Sequence, residues 1–248
     1  MTHEFRVLTL NIHKGFSMSS RRLVLAQIRE QLRASRANLV FLQEVVGDNE
    51  RHRRRHKHWP ADTQLEFLAD TVWTHHAYGK NAIYQHGHHG NAILSEQPFV
   101  AWDNINVSVH HFSQRGFLHG ELAGGIHLIC LHLGLLENER KRQTEQLVHY
   151  LQHNIDEQAP LIIAGDLNDW RKRCHRRLTE GLGLQEAHEV IHGQCARTYP
   201  LIYPVLPMDR IYLRGFKVRH CERLHGAGWR QFSDHCGLMT DLTLKHAI

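Results

Sequence analysis

The sequence predicts an α/β sandwich, and three observations carry that prediction. Short apolar runs of strand length alternate with amphipathic helical stretches in a mixed order, the runs are too many for a simple helix bundle, and the helices are too regular for an all-β protein. At 248 residues and 42% hydrophobic content the chain can bury one sizeable core. No repeat, low-complexity tract or Pro/Ser linker divides it, so residues 1–248 read as a single domain.

Phe5 to Ile12 alternates apolar and polar residues as a strand does, and Gly15 signals the turn that follows Asn11-Ile12-His13-Lys14. Ser19 and Ser20 offer an N-cap to a helix carrying Leu25, Ile28 and Leu32 on one face. Asn38 to Gln43 is a continuous apolar run, the form of a strand buried on both faces, and it is expected to stop at Glu44. A helix is expected from Asp62 to Trp73, with Leu65, Leu68 and Ala69 on one side. Gly90 to Ser95, Ile126 to Leu133 and Pro160 to Ala164 read as further strands. Between the last two, Glu137 to Ile155 forms a long amphipathic helix with Leu147, Leu151 and Ile155 inward. Asp209 to Leu213 and Gly237 to Leu244 supply the closing strands, and His86-Gly87-His88-His89-Gly90 reads as a flexible loop without metal-ligand spacing.

Composition narrows the class. Met1-Thr2-His3-Glu4 lacks the basic and apolar regions of a secretory leader, and no apolar run approaches a bilayer span, so the protein is expected in the cytoplasm. The five cysteines are odd in number and scattered without a C-x-x-C pair, which fits reduced thiols and neither a disulfide framework nor a zinc site. The formal net charge of +5 leans toward an anionic partner, either nucleic acid or an acidic lipid surface.

Side chains able to ligate a hard cation or move a proton stand at the ends of the apolar runs. Glu44 and Asn11 carry oxygens that suit Mg²⁺. Asp166 and Asn168 lie two apart after PLIIAG, so an extended backbone would point both the same way, one toward a water proton and one toward a developing oxyanion. Ser233-Asp234-His235 sets a carboxylate beside an imidazole, with Asp209 as the partner that orients His235, and His132 adds a second donor. Each of these motifs alone also reads as an ordinary turn or buried polar group.

Taken in order, TLNIHKG, LQEV, GNAILS, LHLG, GDLND, MDRIY and SDH resemble the endonuclease/exonuclease/phosphatase superfamily, from about Val7 to Leu242. The resemblance implies a DNase I-like four-layer αββα sandwich of two mixed β-sheets flanked by helices, with the site where the sheets' loops meet. It implies that Asn11, Glu44 and Asp234 hold Mg²⁺ or Mn²⁺, that Asp166 activates water, and that Asn168 stabilises phosphorane-like charge. His235 backed by Asp209, together with His132, would contact phosphate or transfer protons, and Asn91 and Arg115 would bind substrate. No covalent intermediate is expected. His13 stands where AP endonucleases have an aspartate, and Leu131-His132-Leu133-Gly134 stands where they have a tyrosine-containing motif, so that subfamily is disfavoured. The chain is most similar to small, poorly characterised bacterial members with segments like Arg115-Gly116 and Thr198-Tyr199-Pro200.

Two basic runs, Arg51 to His58 and Arg171 to Arg177, flank these motifs beside Trp59 and Trp170. They make a nuclease the leading reading, by phosphate contacts and base stacking. A phospholipid or sphingomyelin-type phosphodiesterase is the rival, ranked lower because no exposed amphipathic anchor is visible in the chain. A noncatalytic binding module on the same fold is the third alternative. Oligomeric state is not legible.

Overall fold

β1 (Glu4–Asn11) is apolar on both faces, and its alternate residues part to opposite sides: Phe5 and Val7 join one core, Leu8 and Leu10 another. That division repeats along the neighbouring strands and generates the layers. The computed structural model describes residues 4–245 except 21, 57, 58, 85, 227 and 231.

After β1 come a 3-10 turn (His13–Gly15), α1 (Leu25–Ser35), β2 (Leu39–Asn49), α2 (Glu50–Arg55) and α3 (Gln64–Ala69). β3 (His75–Tyr84), β4 (Gly87–Ser95), β5 (Phe99–Asn106), β6 (Gly116–Leu122) and β7 (Ile126–His132) lead to α4 (Glu137–Asn154). β8 (Leu161–Asp166), α5 (Arg173–Leu182), β9 (Gln185–Glu186) and α6 (Ala187–His192) precede β10 (Asp209–Arg214), β11 (Phe216–Leu224) and β12 (Gly237–Leu244). One sheet has the order β11-β12-β1-β2-β4-β3 and the other β5-β6-β7-β8-β10-β9.

The sheets face each other across a core that includes Phe41, Ile93, Leu118, Leu128, Ile162 and Ile211. α1 and α3 cover the outside of the first sheet through Ile28, Leu32, Leu65 and Leu68, and α4 and α5 cover the second through Leu147, Leu151 and Leu178. These are the expected four layers. Burying each such side chain contributes about 1.5–3 kcal/mol relative to exposing it. All five cysteines are free and buried.

Each sheet contains one parallel pair. β1 and β2 pair in parallel with α1 as their crossover, and β7 and β8 pair in parallel with α4 as theirs. A parallel pair needs such a crossover, and it leaves both carboxyl ends on one edge of the sheet. The two sheets thus bring four strand ends to a common place.

Several local expectations change. α1 begins after Val24 with no side-chain cap; Ser20 lies in a left-handed turn (φ 55°) beside the Phe16–Leu23 bridge, so neither Ser19 nor Ser20 caps it. The helix expected over Asp62 to Trp73 is only Gln64–Ala69, because the Thr63–Glu66 capping box starts it late and Asp70 at φ 47° ends it early. β2 does not stop at Glu44. Leu42 pairs with Ala92 and Val45 with Gly90, so Gln43 and Glu44 oppose the single residue Asn91, a bulge, and the strand continues to Asn49. The His86–Gly90 stretch is not a flexible loop, since residues 87–90 belong to β4 and pair with both β2 and β3.

Gly165 sits in β8 at φ +149°, where a Cβ would lie 2.0 Å from the backbone oxygen of Leu131. Gly165→Ala is therefore expected to destabilise the fold by at least about 2 kcal/mol, because rigid backbone must move away. Urea unfolding of the two proteins checks this; an unchanged midpoint would show that β7 and β8 separate freely.

Candidate active site

Asn11 ends β1, His132 ends β7 and Asp166 ends β8, while Asp209 begins β10 directly opposite Asp166. Ser233 anchors the segment before β12: its Oγ donates to the Asn11 carbonyl at 2.6 Å and accepts the His235 N–H at 3.1 Å. The edges of both sheets are joined here.

Asp166 is the focus. Its Oδ2 accepts from Asn11 Nδ2 at 3.2 Å, with His132 Nε2 at 3.5 Å and His235 Nε2 at 3.7 Å. Its Oδ1 accepts the Asn168 N–H at 2.9 Å, closing a turn in which Asn168 has φ 51°. The two side chains are therefore not parallel on an extended backbone, as their spacing predicts; Asn168 instead turns to donate to the Leu133 carbonyl at 3.0 Å. His235 donates from Nδ1 to Asp209 Oδ2 at 2.8 Å, the pairing expected for those two residues.

The electrostatics separate the two histidines. Burial opposes charge on His235, but Asp209 and Asp166 outweigh it and hold the group up at about 10, so it is an imidazolium at neutral pH. Burial holds His132 well below the ordinary histidine range, with Arg115 adding to the effect, so that ring is neutral. Burial raises Asp166 to about 6, with Asp209 adding to the rise and His235 opposing it.

Glu44 approaches from the bulge at φ 59°. Burial pushes its carboxyl up, yet the basic side chains that surround it outweigh burial and bring it down to about 2. The ionised Oε2 is buried without a hydrogen bond and stands 3.3 Å from Lys14 Nζ. An anionic oxygen with no hydrogen-bond donor fits a hard cation. Asn11 Oδ1 accepts the His13 N–H at 3.0 Å and keeps a second lone pair, and Asp234 Oδ1 lies 3.8 Å from His13 Nδ1. Asp166, Asp209 and His235 are also compact enough to surround an ion. A protonated His235 is no ligand, however, and the three read as a proton network.

A narrow hollow beside Glu44 and His132 is also lined by His89, Asn91 and Arg115. Arg115 Nε and His89 Nδ1 are buried there without hydrogen bonds. Asn91 is committed to the sandwich: its Nδ2 donates to the Gly116 carbonyl at 2.9 Å and the Cys130 carbonyl at 3.4 Å, leaving its oxygen for a ligand. Sequence reasoning missed Lys14 and His89. Lys14 carries a signal, its position three residues after Asn11, whereas His89 is concealed among many histidines.

His175, Glu189 and Cys195 form a second compact group away from this edge. Burial lowers His175 and so does the neighbouring Arg210, a cation that disfavours a metal at that place. Beside it, Glu186 caps α6 by accepting the His188 and Glu189 N–H groups, and burial raises its carboxyl to about 7.

Comparisons with known proteins show the family and the fold. Residues 8–235 match the model of the Endonuclease/Exonuclease/phosphatase family. The Escherichia coli (strain K12) protein named "Uncharacterized protein YbhP" is 40% identical over 245 residues, covering 97% of this chain and 96% of the relative. The crystal structure of an endonuclease/exonuclease/phosphatase from Beutenbergia cavernae superposes with TM-score 0.80 at 21% identity, over 98% of this chain and 72% of that one. The human Nocturnin catalytic domain with bound sulfate anion gives 0.73 at 17%, over 99% and 96%. D. rerio TDP2 complexed with single strand DNA product gives 0.66 at 20%, over 97% and 99%.

Glu186 yields a pH prediction. With its carboxyl raised in the fold, the native protein holds a proton that the unfolded chain releases, so stability falls as pH rises from the unfolded value to about 7 and stays reduced above it. The full difference is about 3 kcal/mol. Glu186→Gln, which can still cap α6, is expected to lose this slope in chemical denaturation across pH 4.5–8. An identical slope in the variant would remove Glu186 as its source.

Proposed function

The chain belongs to the endonuclease/exonuclease/phosphatase family, and from that premise we propose that it hydrolyses a phosphodiester with a divalent cation, by direct attack of water at phosphorus. The observation that carries this reading is the convergence of Asn11, His132 and His235 on Asp166 Oδ2, all within 3.7 Å, beside the ionised Glu44.

Glu44, Asn11 and Asp234 would hold the cation. When bound, Mg²⁺ or Mn²⁺ supplies charge neutralisation at the phosphate and its leaving oxygen. Asp166 orients the attacking water and accepts its proton, a role suited to a carboxyl raised to about 6. The His235 imidazolium, held by Asp209, presents Nε2–H to a phosphoryl oxygen, and neutral His132 offers a second contact. Asn168 keeps one amide hydrogen beyond its bond to Leu133 for the charge that develops on phosphorus. Arg115, with Nε unpaired, faces the same hollow as a substrate contact, and Asn91 contributes its oxygen.

Two substrate classes satisfy this chemistry. Nucleic acid is supported by the exposed arginines of α2 and by the DNA product in the TDP2 relative. The run 171–177 supports it less, because Arg171 and Arg173 pair with Glu137 and Arg177 pairs with Glu145. Trp170 lies under the Arg140 guanidinium and Trp59 is stacked on His52, so one face of each indole is already occupied. A phospholipid is supported by large apolar side chains exposed on loops that adjoin the site residues, among them Leu135, Ile202 and Tyr203.

Wild-type protein with Mg²⁺ is expected to hydrolyse bis-p-nitrophenyl phosphate, with turnover abolished by EDTA and lowered at least about 10³-fold in Asp166→Ala. Retained turnover in that variant would refute Asp166 as the water's partner. Glu44→Gln should raise the Mg²⁺ concentration needed for half-maximal rate about tenfold or more, and an unchanged requirement would place the cation elsewhere.

A further inference from the structure

Large apolar side chains stand exposed on the loops that frame the site. Phe112 precedes Arg115, Leu135 and Leu136 follow His132, and Trp170 follows Asn168. Ile202 and Tyr203 lie in the segment that enters Asp209, whose Leu201 N–H donates to the Asp234 carbonyl at 2.7 Å. Phe112, Ile202 and Tyr203 are 69%, 75% and 76% exposed, values that leave most of each residue in water. Such residues normally occur singly on a surface; here four loops adjoining proposed site residues each present at least one, and an apolar rim of that kind marks an interaction face.

The loops that carry them are firmly held. Arg140 Nη1 donates to the carbonyls of Gly134 and Leu135, and the 199–206 turn is closed by Val205 and Leu206 N–H groups donating to the Tyr199 carbonyl at 2.9 Å. Their exposure is therefore a presented surface. Leucine and isoleucine gain nothing from base stacking, and a nucleic-acid backbone offers them no apolar counterpart.

Charge completes the picture. β2 runs on past Glu44 in the direction of the catalytic edge and sets α2 there; the Phe16 ring, next to the 3-10 turn, packs on His52 and His56 of this segment. Arg53 and Arg54 pair with Asp48 and Glu50, while Arg51 and Arg55 form no ion pair among the described residues. Apolar side chains flanked by free cations are the combination that anionic membranes attract.

We infer that the catalytic edge docks on an anionic phospholipid bilayer, its apolar loops entering the headgroup region so that the site meets lipid phosphodiesters. The chemistry of this inference rests on the phosphodiesterase reading; the docking does not. Among the described residues no helix is long and apolar enough to cross a membrane.

The test is cosedimentation of the full chain, in EDTA, with phosphatidylcholine vesicles containing or lacking phosphatidylglycerol. The wild type and Asp166→Ala are both expected to pellet with the anionic vesicles. Two double variants on separate loops, Ile202→Ser with Tyr203→Ser and Leu135→Ser with Leu136→Ser, should each bind about tenfold more weakly while keeping the wild-type melting temperature. Arg51→Gln with Arg55→Gln should weaken binding and flatten its salt dependence. Absence of wild-type vesicle binding overturns the inference, as does undiminished binding by the serine variants that melt normally. Tight single-stranded oligonucleotide binding without vesicle binding overturns it in favour of nucleic acid. A dimer dispersed by the serine substitutions, again without vesicle binding, overturns it in favour of a second copy of this chain. Because EDTA excludes turnover, failure of the phosphodiesterase reading would show in the nitrophenyl assay and leave the vesicle result standing.

Discussion

A carboxylate buried where two sheets meet is the constraint around which this molecule is arranged. Asp166 is about 1% exposed, and an isolated charge in such a place is too costly to persist. The fold meets that cost by supplying hydrogen bonds from Asn11 and Asn168 and an imidazolium from His235. Asp209 then holds the imidazolium, and Ser233 fixes the backbone that carries it to Asn11. Removing any one of these leaves another buried polar group without its counterpart, so the site and the seam between the sheets are one network.

The arrangement requires particular strand connections. One parallel pair in each sheet places Asn11 and His132 at carboxyl ends, and the antiparallel return of β10 sets Asp209 against Asp166. Gln43 and Asn91 strengthen the same seam farther inward, Gln43 by a contact with Cys130 Sγ at 3.3 Å and Asn91 by its bonds to the second sheet. Polar groups at these positions specify how the two sheets align, which apolar packing alone would leave free to slide.

Much of this is visible in the sequence because the site residues coincide with the ends of apolar runs. Asn11, His132, Asp166 and Asp209 stand where hydrophobic periodicity stops, and the His235 segment carries its own carboxylate neighbour. The apolar pattern singles out Glu44 but makes it a strand end, because a bulge leaves no mark in apolar patterning. β3 and β5 were hidden for a different reason: both are edge strands with several exposed polar positions, so they lack a continuous apolar face. α2 was hidden because none of its residues is buried. The apolar rim could not be read at all. Its members come from loops scattered between residues 112 and 203, each too short to show amphipathic periodicity, and only the fold assembles them.

The five buried thiols have a consequence for handling and for observing the protein. Burial pushes Cys130 and Cys221 up to about 12, and Cys174 and Cys236 up to about 11, so almost no thiolate is present near neutrality. Alkylating reagents and peroxide attack cysteine as the thiolate, and the fold accordingly protects these sulfurs from them. Cys130 lies between the sheets and Cys174 on the buried side of α5, in separate layers. The order in which these two sulfurs become labelled during slow unfolding therefore reports which layer of the sandwich parts first.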